Sequence, residues 1–353
     1  MKVNYSNELT RDDSKAIQGI AILFMLALHL FCRLGDLPYT TLLNIKEVPL
    51  VYYLGLWGDQ CVALFCFCAG YAGYLQQEKY DKKRYMNYSV KRLMKLVMNY
   101  WMIVVLVSLI GLLIGRGEAI PGSFVKFLSN FFMVSNSYNG AWWFMLTYII
   151  LIVLSVWIYR IIKRCNGVIM LGITGIIYFI SYIIRFDIIH VPDMGMIVNW
   201  FISQGALLGT SLLPFVFGML FYKYSIISRI RKWTAEFSKV TIIVLTIIIF
   251  AVCIVTHAIA QSLIIAPIYA LITVCIVSLW RGKMIAVFKY FGEHSTNIWL
   301  IHMFFYTVLF DGFVFRFKYP ILIFVVMLGL SLVSSYIINF ILKNITSHMK
   351  ALN

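Results

Sequence analysis

The sequence predicts an all-α, polytopic membrane helix bundle, and three observations predict it. Hydrophobic residues make up 62% of the 353 against 12% charged, the mean hydropathy is +0.88, and apolar runs of membrane-spanning length recur from end to end. A water-soluble core cannot bury so much apolar surface. About ten runs can cross a bilayer as helices, given a rise of 1.5 Å per residue. They cover residues 17–34, 52–75, 96–114, 142–159, 168–184, 207–222, 240–258, 263–280, 295–310 and 321–342. The opening segment MKVNYSNELTRDDSK mixes acids and bases and lacks the layout of a cleaved signal peptide, so the first run is expected to persist as a helix.

Charge tests this list. The net formal charge of +16 would suggest nucleic acid on a soluble chain; on so apolar a chain it reflects basic cytoplasmic loops. With the N-terminus inside, only seven of the 30 Lys and Arg fall outside: Arg33, Lys46, Arg116, Lys126, Arg185, Arg316 and Lys318. That bias predicts both termini in the cytoplasm and no nucleic-acid partner. The segments 76–95, 115–141 and 185–206 are too short for a core of their own, so residues 1–353 are expected to form a single domain with no fused soluble domain. Most of the seven cysteines lie in apolar runs without metal-ligand spacing. No disulfide framework and no metal site is expected. The absence of an internal repeat or of interrupted helices in matching positions weakens an inverted-repeat transporter reading.

Polar side chains inside a membrane helix are costly and mark function or a wet interior. In the first run His29 lies eleven residues after Gln18, three turns plus about 20°, so the two share a face with Ile22 and Met25 between them, about 16 Å apart along the axis. A histidine satisfied by a neighbouring helix explains His29 equally well. In FGEHSTNIWLIHMFF, Ser295, Trp299 and His302 fall on one face near Asn297. Interhelical hydrogen bonding is the plainer account of these, and capping of a helix that opens at Gly292 the plainer account of Glu293 and His294. Arg92 and Lys95 in KRLMKLVMNYW are neighbours on one face; they suit either anionic lipid headgroups or a phosphorylated cytoplasmic ligand such as coenzyme A. Trp142 and Trp143 fit an interfacial aromatic belt. Cys32 stands one turn beyond His29, but apolar surroundings suit a packed thiol better than a thiolate.

In order along the chain, these segments resemble the acyltransferase-3 family of multipass membrane acyltransferases. IQGIAILFMLALH is similar to that family's LRGIAILLVVLGH-like first helix, with His29 as its histidine and Gln18 where the family has a basic residue; Lys15 is one turn earlier. GDQCVALFCFCAGYAGYL resembles VxLFFxxSGY, with Ala69 in place of Ser. Arg92 and Lys95 correspond to RxxR, Trp143 and Phe144 to a later WF, and Gly292, Ser295 and His302 to GxxSxxIYxxH with Trp299 at the aromatic position.

The resemblance implies transfer of an acyl group, most often acetyl, from acyl-CoA (acetyl-CoA) to a hydroxyl of a surface polysaccharide or lipid-linked glycan at the cell membrane. His29, with an imidazole suited to removing a hydroxyl proton, is the expected base, and an acyl-histidine intermediate stays open. His302 and Asn297 are expected to orient the base or polarise the carbonyl. Arg92, Lys95, Lys15 and Gln18 are expected to hold the CoA donor, and Trp143 and Ser295 to line the substrate site. A transporter or flippase for a lipid-linked sugar, or a membrane sensor, would show the same composition.

Overall fold

The computed structural model describes residues 8–189 and 192–351, with side chains described up to 344. Lys2 and the side chain of Lys350, both counted among the cytoplasmic bases, lie outside the described residues. In chain order the helices are α1 (Arg11–Phe31), α2 (Leu50–Leu56), α3 (Cys61–Lys79), α4 (Lys82–Leu113), α5 (Phe124–Phe131), α6 (Trp143–Arg164), α7 (Gly167–Arg185), α8 (Met196–Lys223), α9 (Ile226–Trp233), α10 (Lys239–Ile259), α11 (Ala266–Val277), α12 (Lys283–Ile301) and α13 (Pro320–Ala351). The strands described are a two-residue antiparallel pairing of Asn44–Ile45 with Val48–Pro49.

The helix starts follow from short polar side chains. Thr10 and Asp13 form a reciprocal capping box at α1: the Asp13 N–H donates to Thr10 Oγ1 at 3.1 Å, and the Thr10 N–H donates to Asp13 Oδ2 at 2.8 Å. Ser123, Asn166 and Ser238 accept backbone N–H groups at the starts of α5, α7 and α10.

Among the described residues eight helical segments are long and apolar enough to span a membrane: Arg11–Phe31, Leu50–Lys79, Lys82–Leu113, Gly140–Arg164, Gly167–Arg185, Met196–Lys223, Lys239–Ile259 and Pro320–Asn344. The expected spans 263–280 and 295–310 have another form. The first is a 3-10 turn, Leu263–Ile265, followed by the 12-residue α11. The second corresponds to α12, which begins earlier, at Lys283, carries Lys289 and Glu293, and stops at Ile301. Gly292 therefore sits inside a helix and does not open one, and Glu293 and His294 are not caps. The connecting segments are also more structured than their polarity suggests. Residues 76–95 are almost wholly the end of α3 and the start of the 32-residue α4, 115–141 contains α5, and α8 begins already at Met196.

The chain divides into two compact units. The first comprises the described residues of Met1–Ala21, with Asp59–Val90 and Leu146–Gly292; the second comprises Ile22–Gly58, Lys91–Met145 and the described part of Glu293–Asn353. In the first, α3 and α7 pack along α8. The α3–α8 approach is close enough that a Cβ on Gly70 would stand 1.9 Å from the Phe215 carbonyl oxygen, which explains the glycine of the FCFCAGY segment. The same reason holds Gly292, whose Cβ would lie 1.8 Å from the Lys15 carbonyl oxygen. Arg231, its side chain 8% exposed, ties this unit together, donating to Asp13 Oδ2 at 2.9 Å and to the Glu8 carbonyl at 2.7 Å.

In the second unit α5 is fastened to α4. The Tyr100 hydroxyl donates to the Asn130 carbonyl at 2.5 Å, the Trp101 indole N–H donates to the Phe131 carbonyl at 2.9 Å, and Trp101 stacks on Phe131. Apolar residues cover the outward faces of α7, α10 and α13, for instance Ile176, Ile247, Val255, Val325 and Phe340. Bilayer, not water, suits such surfaces.

Candidate active site

The second unit places His29, near the end of α1, against His302, in the 3-10 turn His302–Phe305 that follows α12. His29 Nδ1 and His302 Nε2 are 2.7 Å apart. The rings are 8° from parallel with centroids 5.0 Å apart. Since an imidazole nitrogen lies about 1.2 Å from its ring centre, these values describe an in-line, edge-to-edge hydrogen bond and not a face-to-face stack. His302 is 0% exposed, whereas His29 keeps partial exposure.

The hydrogen-bond chemistry fixes the direction of this pair. His302 Nδ1 faces the carbonyls of Trp299 at 2.9 Å and Ile298 at 3.2 Å. A carbonyl only accepts, so Nδ1 carries the proton, and Nε2 of the neutral ring is an acceptor. His29 must then donate through Nδ1–H, which leaves the lone pair of His29 Nε2 unengaged by this pair. One proton on each ring satisfies every contact. An imidazole whose far nitrogen is a lone pair and whose near nitrogen is held by a second group is the arrangement of an oriented base.

What places His302 is the end of α12. The Asn139 side-chain N–H donates to the Leu300 carbonyl at 3.0 Å and the Trp142 indole N–H donates to the same oxygen at 2.9 Å. With Ile298 and Trp299 taken by His302 itself, three consecutive carbonyls are satisfied by side chains, and the helix gives way to a 3-10 turn. Trp142 is 2% exposed and packs against Tyr100 and Phe304, so it is a buried clamp and not a member of an interfacial belt. On the other side of the pair, Arg33 donates to the His29 carbonyl at 3.1 Å and lies over the Phe315 ring.

Asn297 stands apart from the histidines. Its Oδ1 accepts from Asn99 Nδ2 at 2.6 Å, while its Nδ2 donates to Ser335 Oγ and Asn339 Oδ1, each at 3.0 Å. His294 Nδ1 lies 2.9 Å from the same Ser335 hydroxyl. Asn99 is on the face of α4 that carries Arg92 and Lys95, at spacings of three and four residues. Ser295 is buried, and Trp143 is half-buried with its ring against Phe144, which in turn meets Trp299.

Lys15 and Gln18 belong to the first unit and form a pair of their own: Lys15 Nζ donates to Gln18 Oε1 at 2.9 Å and to the Gly292 carbonyl at 3.2 Å. The ammonium thus stands beside the Gln18 side chain. This unit also holds a pair that the sequence reading passed over. His257 Nε2–H donates to Asp59 Oδ2 at 2.7 Å, both side chains being at most 1% exposed. Beside it Thr273 donates to Gln60 Oε1 at 2.7 Å. Asp59 and His257 lie inside expected spans, and that alone could have flagged them. Asn99 could have been found by extending the Arg92–Lys95 face one turn. Among the described residues no group of three or more His, Cys, Asp and Glu is arranged to hold a metal ion.

No curated protein and no solved structure matches the chain. A family model described as an acyltransferase domain matches residues 12–340, nearly the whole chain. With that match on a polytopic helical bundle, the chain belongs to the acyltransferase-3 family of membrane acyltransferases.

Proposed function

We propose that the protein is an acyl-CoA-dependent O-acyltransferase of the cell membrane. It moves an acyl group, acetyl by expectation, from cytoplasmic acyl-CoA to a hydroxyl of a surface polysaccharide or lipid-linked glycan. The observation that carries this reading is the in-line His29–His302 hydrogen bond, whose direction leaves one imidazole nitrogen available as a base. His29 Nε2 takes the proton of the acceptor hydroxyl as its oxygen attacks the thioester carbonyl. The imidazolium keeps its Nδ1–H on His302 Nε2, a bond that strengthens as charge develops. Collapse of the tetrahedral intermediate breaks the C–S bond, and the proton on Nε2 passes to the leaving thiolate. His302 positions the base and need not touch substrate. Arg92 and Lys95, one turn apart, suit the phosphates of the donor.

The test is acyl transfer itself. Membranes containing the chain should transfer labelled acetyl from acetyl-CoA to polysaccharide, seen as the mass of one acetyl group per modified sugar, and His29→Ala should slow this about 100-fold or more while the protein remains folded. Accumulation of unmodified glycan across the membrane without any need for CoA would favour a flippase instead.

A further inference from the structure

The structure holds a buried acceptor left unused: among the described residues Oδ1 of Asn99 is buried and has no hydrogen-bond partner. Asn99 is only 7% exposed. Its orientation is set by the neighbouring amide. Asn297 spends its Nδ2 on Ser335 and Asn339, so it turns Oδ1 toward Asn99, and Asn99 must answer with Nδ2. Oδ1 of Asn99 therefore points away from that ladder as a fixed acceptor. An unsatisfied amide oxygen in a membrane interior is costly, and such groups persist where a ligand donor completes them.

Its level in the second unit indicates which donor. Lys95 precedes Asn99 by four residues, about 6 Å along α4, and His302 follows Asn297 by five, about 7.5 Å at helical rise. In the expected topology both helices enter from the cytoplasm, which puts the two asparagines between the basic residues and the histidine pair. We propose that Asn99 Oδ1 accepts an amide N–H of the pantetheine arm of the acyl-CoA donor. This rests on the reading of the donor given above. The arm suits the distance: with bonds of about 1.5 Å, its two amide nitrogens lie about 4 and 9 Å from the sulfur, between a thioester at His29 and phosphates at Arg92 and Lys95. Since Asn99 Oδ1 is buried from solvent, an amide N–H that reaches it leaves water, and a fixed acceptor there both offsets its desolvation and sets how far the thioester advances.

The experiment measures binding of radiolabelled acetyl-CoA to the full chain in lipid nanodiscs, beside two analogues in which each amide N–H in turn is replaced by an ester oxygen. In the wild-type protein one replacement should weaken binding about tenfold. In Asn99→Leu acetyl-CoA itself should bind about tenfold more weakly, and the amide and ester forms should bind alike. Wild-type protein that binds acetyl-CoA yet treats amide and both esters alike overturns the assignment of Asn99 and leaves the donor reading standing; that measurement needs no variant to fold. Equal sensitivity to the ester in wild type and Asn99→Leu overturns it likewise. Wild-type protein that binds no acetyl-CoA removes the donor reading and this proposal together.

Discussion

If His302 acts by holding the base, removing it should cost what one charge-assisted hydrogen bond is worth. In the resting pair the His29–His302 contact joins two neutral rings; once His29 is protonated it joins an imidazolium to an acceptor 2.7 Å away. A hydrogen bond to a charged group is worth about 1.5–3 kcal/mol, so His302→Ala should lower kcat roughly 10- to 150-fold. His29→Ala removes the proton acceptor and should cost roughly 100- to 10,000-fold. Because the two rings act through one nitrogen, the effects should not multiply: the double variant should be no slower than His29→Ala. His302→Gln, which can still offer an oxygen to His29, should recover most of the loss. The assay is release of CoA from acetyl-CoA in nanodiscs with surface glycan as acceptor, each variant being matched for thermal unfolding. Multiplicative losses in the double variant, or wild-type kcat in a folded His302→Ala, would refute the positioning role of His302.

Three further outcomes follow from the geometry. Arg92→Ala or Lys95→Ala should raise the KM for acetyl-CoA about tenfold or more while leaving that for acetyl-pantetheine, which lacks the nucleotide phosphates, within a factor of two; parallel losses for both donors would place these bases elsewhere. His257→Ala leaves buried Asp59 without its ring and should destabilise the first unit by about 3–5 kcal/mol, whereas a double replacement by apolar residues of similar volume should recover much of it; unchanged unfolding of His257→Ala would contradict the burial found here. Gly292→Ala drives a methyl against the Lys15 carbonyl oxygen and should cut folded yield sharply, while at Gly172, where a Cβ meets nothing within 4 Å, alanine should be neutral or stabilise by about 1 kcal/mol. Equal yields for the two alanine variants would count against the tight crossing.

The bundle is legible in the chain because hydropathy and loop charge both report directly on the bilayer. The expected spans 263–280 and 295–310 differ in form from single apolar helices: the first is a 3-10 turn followed by the 12-residue α11, and the second ends at Ile301. Apolar content marks what is buried, but the end of α12 is set by Asn139 and Trp142, which lie some 160 positions away in sequence and claim the Leu300 carbonyl. Histidine 29 could be singled out as a costly intramembrane side chain, and its face shared with Gln18 follows from helical spacing alone. That its partner would be His302 was beyond the sequence, since the meeting depends on two distant helices ending at one level. Asn297 shows the converse: closeness to His302 in sequence does not bring it to the pair, because a residue five positions back on a helix points elsewhere. The ladder it joins needs α4 and α13 as well, and no local pattern announces a three-helix contact.

The side-chain clamp on the last turn of α12 has one more implication. Ring direction at position 302 is set from behind, by Asn139 and Trp142, so the aim of the paired imidazoles can be retuned without altering either of them. A substitution at Asn139 or Trp142 would therefore reach the paired rings through the Leu300 carbonyl while leaving both histidines in place.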